Sequence, residues 1–363
     1  MSASTSPSVS TKKLLILKIF AGFLILCLAF ELVLRLFGYG HYTIYRPDER
    51  LLWVPEPGRT LTVVNHLPIT INHQGLRYAV DLQPKQPDQF RIVAFGDSFA
   101  QGWGVDDDSH FSAILEKKLN QGSCTKEHFQ SVSAGVNAYP NSLAAEKLKQ
   151  VVEDPALRPD VAIFAYSENS NLEKLTQLQG EDRERFLRRV EWKAMARRSA
   201  IYNFVIEDLM RKIAYYQLRH MIMAGTLDGV KGMENLDMDQ FNQNLAEILR
   251  ICRSHNVQLV FLMPGADGED SNTPMHPFQK SLFEFAAREH VPLVNMIPVL
   301  SGKSSLFMDQ VHPTKAGNEV IAGELYKTVE GLPNYNAVCS GNSLADVKTT
   351  RAVAATPAPL AAR

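Results

Sequence analysis

The stretch Arg91-Ile-Val-Ala-Phe95 reads as a β-strand that runs into Gly96-Asp97-Ser98. A serine at the carboxyl end of a strand, after a glycine that permits a tight turn, stands where a nucleophile is needed. A helical or turn segment behind it aims backbone N–H groups at whatever binds there. Such a hydroxyl attacks a carbonyl only when a base removes its proton, so the chemistry demands a histidine held by a carboxylate. Phe307-Met-Asp309-Gln-Val-His312-Pro313-Thr314 supplies that pair. Three apart, just ahead of a helix starting near Thr314, Asp309 and His312 can share one turn, the carboxylate fixing the imidazole tautomer. Singly, Gly-Asp-Ser is a common turn and Asp-x-x-His a common cap with a surface histidine. Together they point to acyl chemistry by Ser98, His312 and Asp309.

These residues are far apart in the chain, so the fold must bring them together. Short apolar runs at Arg91 to Phe95, Phe129 to Ser133, Val161 to Tyr166, Val257 to Leu262 and Val291 to Asn295 predict strands. Helical periodicity marks Phe111 to Leu119, Ser142 to Val152, Phe241 to Arg253 and Pro277 to Glu289 between them. Strand alternating with helix implies an α/β protein whose mostly parallel sheet is covered on both faces. Ligands in such sheets bind at the carboxyl ends of the strands, where Ser98 falls.

Gly96-Asp97-Ser98, Gly135, Asn169 and Asp309-Gln-Val-His312 resemble four sequence blocks of the SGNH/GDSL serine hydrolases, over about Arg91 to Val329. Ile71-Asn72-His-Gln-Gly75-Leu-Arg77 resembles the segment preceding the catalytic domain in membrane-anchored bacterial members. The resemblance implies a three-layer α/β/α sandwich with a flavodoxin-like sheet, and no metal or cofactor. It makes Ser98 the nucleophile, His312 the base and then the acid, and Asp309 its orienter. The implied oxyanion hole comprises the backbone N–H groups of Ser98 and Gly135 and the side-chain amide of Asn169. One block departs from the pattern: the usual Gly-x-Asn-Asp is Ser167-Glu168-Asn169-Ser170, which leaves Asn171 as a fallback for Asn169. Glu168 is either a solvated loop residue or a carboxylate facing substrate. The implied activity is ester hydrolysis, removing acyl groups from a glycan or lipid. Two alternatives stay open: O-acyl transfer to an extracytoplasmic glycan, and a degenerate member that binds a glycan or partner without turnover.

The near-balanced charge, −1 overall, leaves no global field for nucleic acid. Lys12, Lys13 and Lys18 flank an apolar run that continues, past Glu31 and Arg35, to Phe37. As a helix it matches the hydrocarbon thickness of a bilayer, and the basic flank places the N-terminus in the cytoplasm. The expected organisation is a cytoplasmic start (1–13), an anchor in the cytoplasmic membrane (14–37), an N-terminal extension (38–90), a periplasmic hydrolase domain (91–333) and a loose tail (334–363). A cleaved signal peptide is the alternative to the anchor. Residues 171–238 interrupt the alternation as a helical insertion, basic in its first half, that either faces water or serves as a lid or an anion dock. Asp106-Asp107-Asp108 with His110 reads as a loop and helix N-terminus rather than a metal site. Cys27, Cys124, Cys252 and Cys339 lack metal or redox spacing, and export permits one disulfide among the last three.

Overall fold

The computed structural model describes residues 9–62, 65–86, 89–122, 124, 128–166, 169–213, 238–269, 273 and 275–340. A long helix, α1 (Val9–Leu36), leads into four short strands, β1 (Tyr45–Asp48), β2 (Leu52–Pro55), β3 (Gly58–Leu61) and β4 (Pro68–Ile71). They pair β1 with β2 and β3 with β4, both antiparallel. Five further strands follow: β5 (Gln89–Phe95), β6 (His128–Ser133), β7 (Val161–Ala165), β8 (Gln258–Met263) and β9 (Leu293–Asn295). These form one parallel sheet in the order β6-β5-β7-β8-β9. The order reverses at β5, so the ends of β5 and β7 diverge into the crevice where doubly wound sheets place their chemistry.

Alternate side chains along each strand enter opposite layers, which is why the strands read as unbroken apolar runs. Val93, Phe95, Ala162, Phe164, Leu259 and Phe261 face one core. It is closed by α4 (Asn141–Glu153) and the helices Met238–Ser254 and Pro277–Glu289. Ile92, Ala94, Val161, Ile163, Val260 and Leu262 face the other, closed by α3 (Phe111–Asn120) and the helices Lys315–Glu330 and Pro333–Cys339. The result is a three-layer α/β/α sandwich. Between β5 and α3 lies a single four-residue helical turn, α2 (Ser98–Gln101).

The ordered fold passes the expected start of the tail at residue 334. Pro333–Cys339 is helical because Tyr335 and Val338 are buried in the second core and Cys339 is bonded to Cys124. Tyr335 packs on Phe90 and Phe129 at ring separations of 6.3 and 5.5 Å. The remainder of the expected tail, 341–363, lies outside the described residues. Within the insertion, a 3₁₀ stretch Asn169–Gln177 precedes α5 (Gly180–Ala196), a short turn Ala200–Tyr202 and a π-helical stretch Asn203–Met210. The rest of that insertion, 214–237, is also outside the described residues. Leu51, Leu52 and Trp53 pack with Tyr139 and Leu143 of the main domain and Phe186, Leu187 and Val190 of α5, joining extension to insertion.

The bridge between Cys124 and Cys339 spans 215 positions and ties the C-terminal helix to the segment before β6. A cross-link over so long a loop stabilises by about 2–5 kcal/mol, chiefly through the unfolded chain. Reduction, or Cys339→Ser, should therefore lower the melting temperature by several degrees in a thermal melt, with the sheet still folded at 25 °C.

Candidate active site

β5 ends at Phe95, and the chain reverses through Gly96 into α2. Gly96 has φ +146°, and a Cβ there would lie 2.9 Å from the Ala165 carbonyl oxygen at the end of β7, so only glycine fits. Asp97 caps the turn, its Oδ1 accepting from the Phe99 N–H at 2.9 Å. Ser98 is thereby fixed as the first residue of a helical turn at the sheet's carboxyl edge, largely buried beside Trp103.

His312 arrives from the opposite end of the chain. Its loop is pinned by Met308 N–H to the His312 carbonyl (2.8 Å), Thr314 N–H to the Leu306 carbonyl (2.8 Å) and Asp267 N–H to the Gln310 carbonyl (2.7 Å). Buried Asn318 donates to the carbonyls of Pro313 and Thr314 and accepts from Phe111 N–H at 3.0 Å, which locks this loop to the start of α3. Within it, Asp309 Oδ1 accepts from the N–H groups of Val311 and His312 at 2.9 and 2.8 Å, and the carboxylate meets His312 Nδ1 at 2.8 Å. Nδ1 therefore carries the ring proton, and the lone pair of a neutral ring sits on Nε2. That atom is 2.8 Å from Ser98 Oγ.

Burial opposes the charge on Asp309, but hydrogen bonds and charge from His312, with the two backbone N–H groups, hold it below the usual carboxylate range. With its folded-state value lowered, ionised Asp309 contributes stability above the ordinary carboxylate range, lost as pH falls through the lowered value. It stays an anion at neutral pH. The Trp103 ring packs 4.3 Å from the imidazole, covering it. A hydroxyl, an imidazole lone pair and a fixed carboxylate in line make an arrangement able to generate a serine alkoxide against a bound carbonyl.

The proposed oxyanion donors divide. Asn169 lies at the site: its Nδ2 donates to Asp97 Oδ2 at 2.9 Å and makes a long 3.4 Å contact to the Tyr139 carbonyl. Asp97 thus orients both the nucleophile's turn and this amide. Ser167 and Glu168 lie outside the described residues, as do the side chains of Ser170 and Asn171. The Gly135 N–H, expected among the oxyanion donors, donates here to Ser133 Oγ at 3.1 Å, and that hydroxyl in turn donates to the Ala100 carbonyl. Gly135 is glycine for packing, because a Cβ would come within 2.4 Å of the Gln101 backbone nitrogen in α2. Four residues on, Tyr139 N–H bonds the Val136 carbonyl and closes a turn in which Ala138 takes φ +65°. The Ala138 N–H has no bond among the described residues, and the next residue's carbonyl touches Asn169.

Arg77, the last residue of the Ile71–Arg77 segment, has a structural job. Buried beneath the nucleophile's turn, it donates to the carbonyls of Gln101, Gly102 and Val105 at 2.8, 2.5 and 2.8 Å. Burial pushes the guanidinium down to about 10, opposed by Asp107, so it stays charged at neutral pH. Asp107 itself accepts from Thr70 N–H and Oγ1 at 2.8 Å each, and His110 is buried over Gly102, its charged form disfavoured first by burial and then by Arg77. The Asp106–His110 stretch is thus committed to the turn.

With this geometry in hand, the comparison with known proteins is decisive. The family model for the GDSL-like lipase/acylhydrolase family matches residues 94–320. The chain belongs to that family. As a GDSL-like acylhydrolase it is an enzyme acting on ester bonds. The matched region begins within β5, four residues before Ser98, and ends in the helix after His312. Among solved structures the chain is similar to the psychrotrophic esterase EstA from Pseudoalteromonas sp., at 14% identity and TM-score 0.41, covering 66% of this chain and 97% of that one. It is also similar to the lipase/acylhydrolase from Enterococcus faecalis, at 14% identity and TM-score 0.41 over 67% of this chain and 96% of that one. The acetyl xylan esterase AlAXEase matches at 15% identity and TM-score 0.40, covering 66% of this chain and all of its own, 100%. No curated protein sequence matches the chain significantly.

The two loop positions separate by substitution. Gly135→Ala should force α2 away and destabilise by about 1–3 kcal/mol, lowering esterase activity with it. Ala138→Gly should relieve the left-handed alanine, stabilising by up to about 1 kcal/mol, with activity retained. Denaturant melts with parallel ester assays check both.

Proposed function

We propose that this acylhydrolase is an exported, membrane-tethered serine esterase that removes acyl groups from a glycan or lipid through an acyl-Ser98 intermediate. The observation that carries the reading is the 2.8 Å contact between Ser98 Oγ and His312 Nε2, with Nδ1 bonded to Asp309. In acylation, Nε2 takes the Ser98 proton as Oγ attacks the ester carbonyl. The oxyanion is met by the Ser98 N–H, the Asn169 amide and, in place of Gly135, the Ala138 N–H. The imidazolium, stabilised by Asp309, then protonates the departing alcohol. Water repeats the sequence in reverse: His312 takes its proton, the water oxygen attacks the acyl carbon, and Ser98 leaves as the alcohol.

Tethering is supported by α1, whose stretch Lys13–Leu36 is long and apolar enough to cross a bilayer and contains an 18-residue window with nothing buried. The lysines before it favour a cytoplasmic N-terminus. The disulfide fits an oxidising compartment for the catalytic domain.

The test is turnover of short acyl esters and acetylated glycans by the full chain and two variants. Ser98→Ala should lose activity to background while keeping its melting temperature. Asp309→Asn should lose about 10²–10⁴ in kcat, since the amide no longer enforces the tautomer. Undiminished turnover by the Ser98 variant would sink the assignment.

A further inference from the structure

Helix α1 does not end free of the domain. Glu31 accepts from the N–H groups of Ala200 and Ile201 at 2.8 and 2.9 Å and from Ser199 Oγ at 3.0 Å, capping the turn at the middle of the insertion. Arg35 pairs with Glu31 at 2.8 Å and donates to the Arg198 carbonyl at 2.7 Å. Phe30 meets Phe204 edge to face at 6.2 Å. The last turns of the helix are therefore seated on protein, and Leu14 to Phe30 remain for lipid, roughly 25 Å at about 1.5 Å per residue. A span that short holds the domain tight against the membrane surface.

The segment at that junction is amphipathic the wrong way round for a water-facing helix. Asn203, Glu207 and Asp208 are buried, at 0, 3 and 6% exposure. They are met by the carbonyls of Tyr39 and Arg197, the Arg197 guanidinium, and Tyr39 Oη with Lys212 respectively. Ile206, Leu209, Met210 and Ile213 recur at three- and four-residue spacing, and all are 41–50% exposed. The end of α5 repeats the inversion, with Trp192 and Met195 71 and 55% exposed while Ala194 and Arg197 are buried. A segment that buries its carboxylates and shows apolar side chains, with the cations Arg211 and Lys212 exposed at its end, has the polarity of an interfacial element next to the point where a membrane span ends. An indole there matches the aromatic belt.

We propose that the insertion's Asn203–Met210 stretch, continued through Ile213, is a membrane-seating platform that enters the interface of the same bilayer α1 spans, its occupant being lipid. The proposal rests on the tethered reading above. It fixes the orientation of the domain on the membrane, because Glu31 and the platform engage the same turn of protein.

Nitroxide labels test it on the full chain in phosphatidylcholine/phosphatidylglycerol vesicles, with retained esterase activity as the check on folding. The background is Cys27→Ser; Cys252 is buried, its thiol pushed up to about 12, and escapes labelling. Labels go at Leu24→Cys in the span, Leu209→Cys on the platform and Lys303→Cys on an exposed loop outside the insertion. Sites 24 and 209 should relax with oxygen and be several-fold less accessible than site 303 to a water-soluble nickel chelate. Chelate access at site 209 equal to that at 303, with 24 still in lipid, overturns the platform and leaves the tether intact. Site 209 shielded from both relaxants means protein covers it and also overturns the proposal. Aqueous behaviour at site 24 as well removes the tether, and the platform with it.

Discussion

One hydrogen bond between residues 214 positions apart, Ser98 Oγ to His312 Nε2, is the constraint the rest of the fold serves. It needs a strand end, a loop and a ring orientation to agree within a few tenths of an ångström. Each is fixed separately: the serine's turn by Gly96, Asp97 and the Arg77 clamp, the histidine loop by Asn318, and the ring by Asp309. The partners that do the fixing are mostly backbone groups, which cannot drift without unfolding the element that carries them. The hydroxyl and the imidazole are thereby preorganised, and little reorganisation remains when a carbonyl arrives.

Much of this was legible in the sequence because the signals were local. The five strands of the sheet and the four helices between them fall within a few residues of where periodicity placed them, since strands buried on both faces are unbroken apolar runs. Asp309 and His312 share a turn, so their spacing alone carried their relation. What could not be read depended on contacts across the chain. Whether the Gly135 or the Ala138 N–H is available turns on the Ser133 hydroxyl, which takes the former. Asn318 looks like any polar helix residue until its loop partners are known. The helix Pro333–Cys339 was hidden because Tyr335, Ala337, Val338, the Asn334 hydrogen bonds and a cysteine partner far away hold an otherwise small, polar segment. Glu31 reads in sequence as an interruption of an apolar run; in the fold it is the point where α1 meets the insertion.

The N-terminal extension links the apolar helix α1 to the candidate site. From α1, Glu31 holds Ser199 and Ala200; two residues before Ser199, Arg197 pairs with Glu207 and donates to the Thr43 carbonyl at 2.7 Å. Tyr45 of β1 then donates from its hydroxyl to Gln101 Oε1 at 3.3 Å, on the same turn as Ser98. Helix α1, insertion, extension and the Ser98 turn are thus one continuous set of contacts. The altered block around Asn169 does not break it, because the asparagine keeps its bond to Asp97 although its flanking residues differ from the family pattern.

The most direct measurement of the central claim is covalent. A fluorophosphonate should add once per chain, and peptide mapping by mass spectrometry should place the adduct on Ser98, with labelling lost when His312 is replaced by alanine. An adduct on another residue, or labelling of Ser98 that is indifferent to His312, would contradict the account.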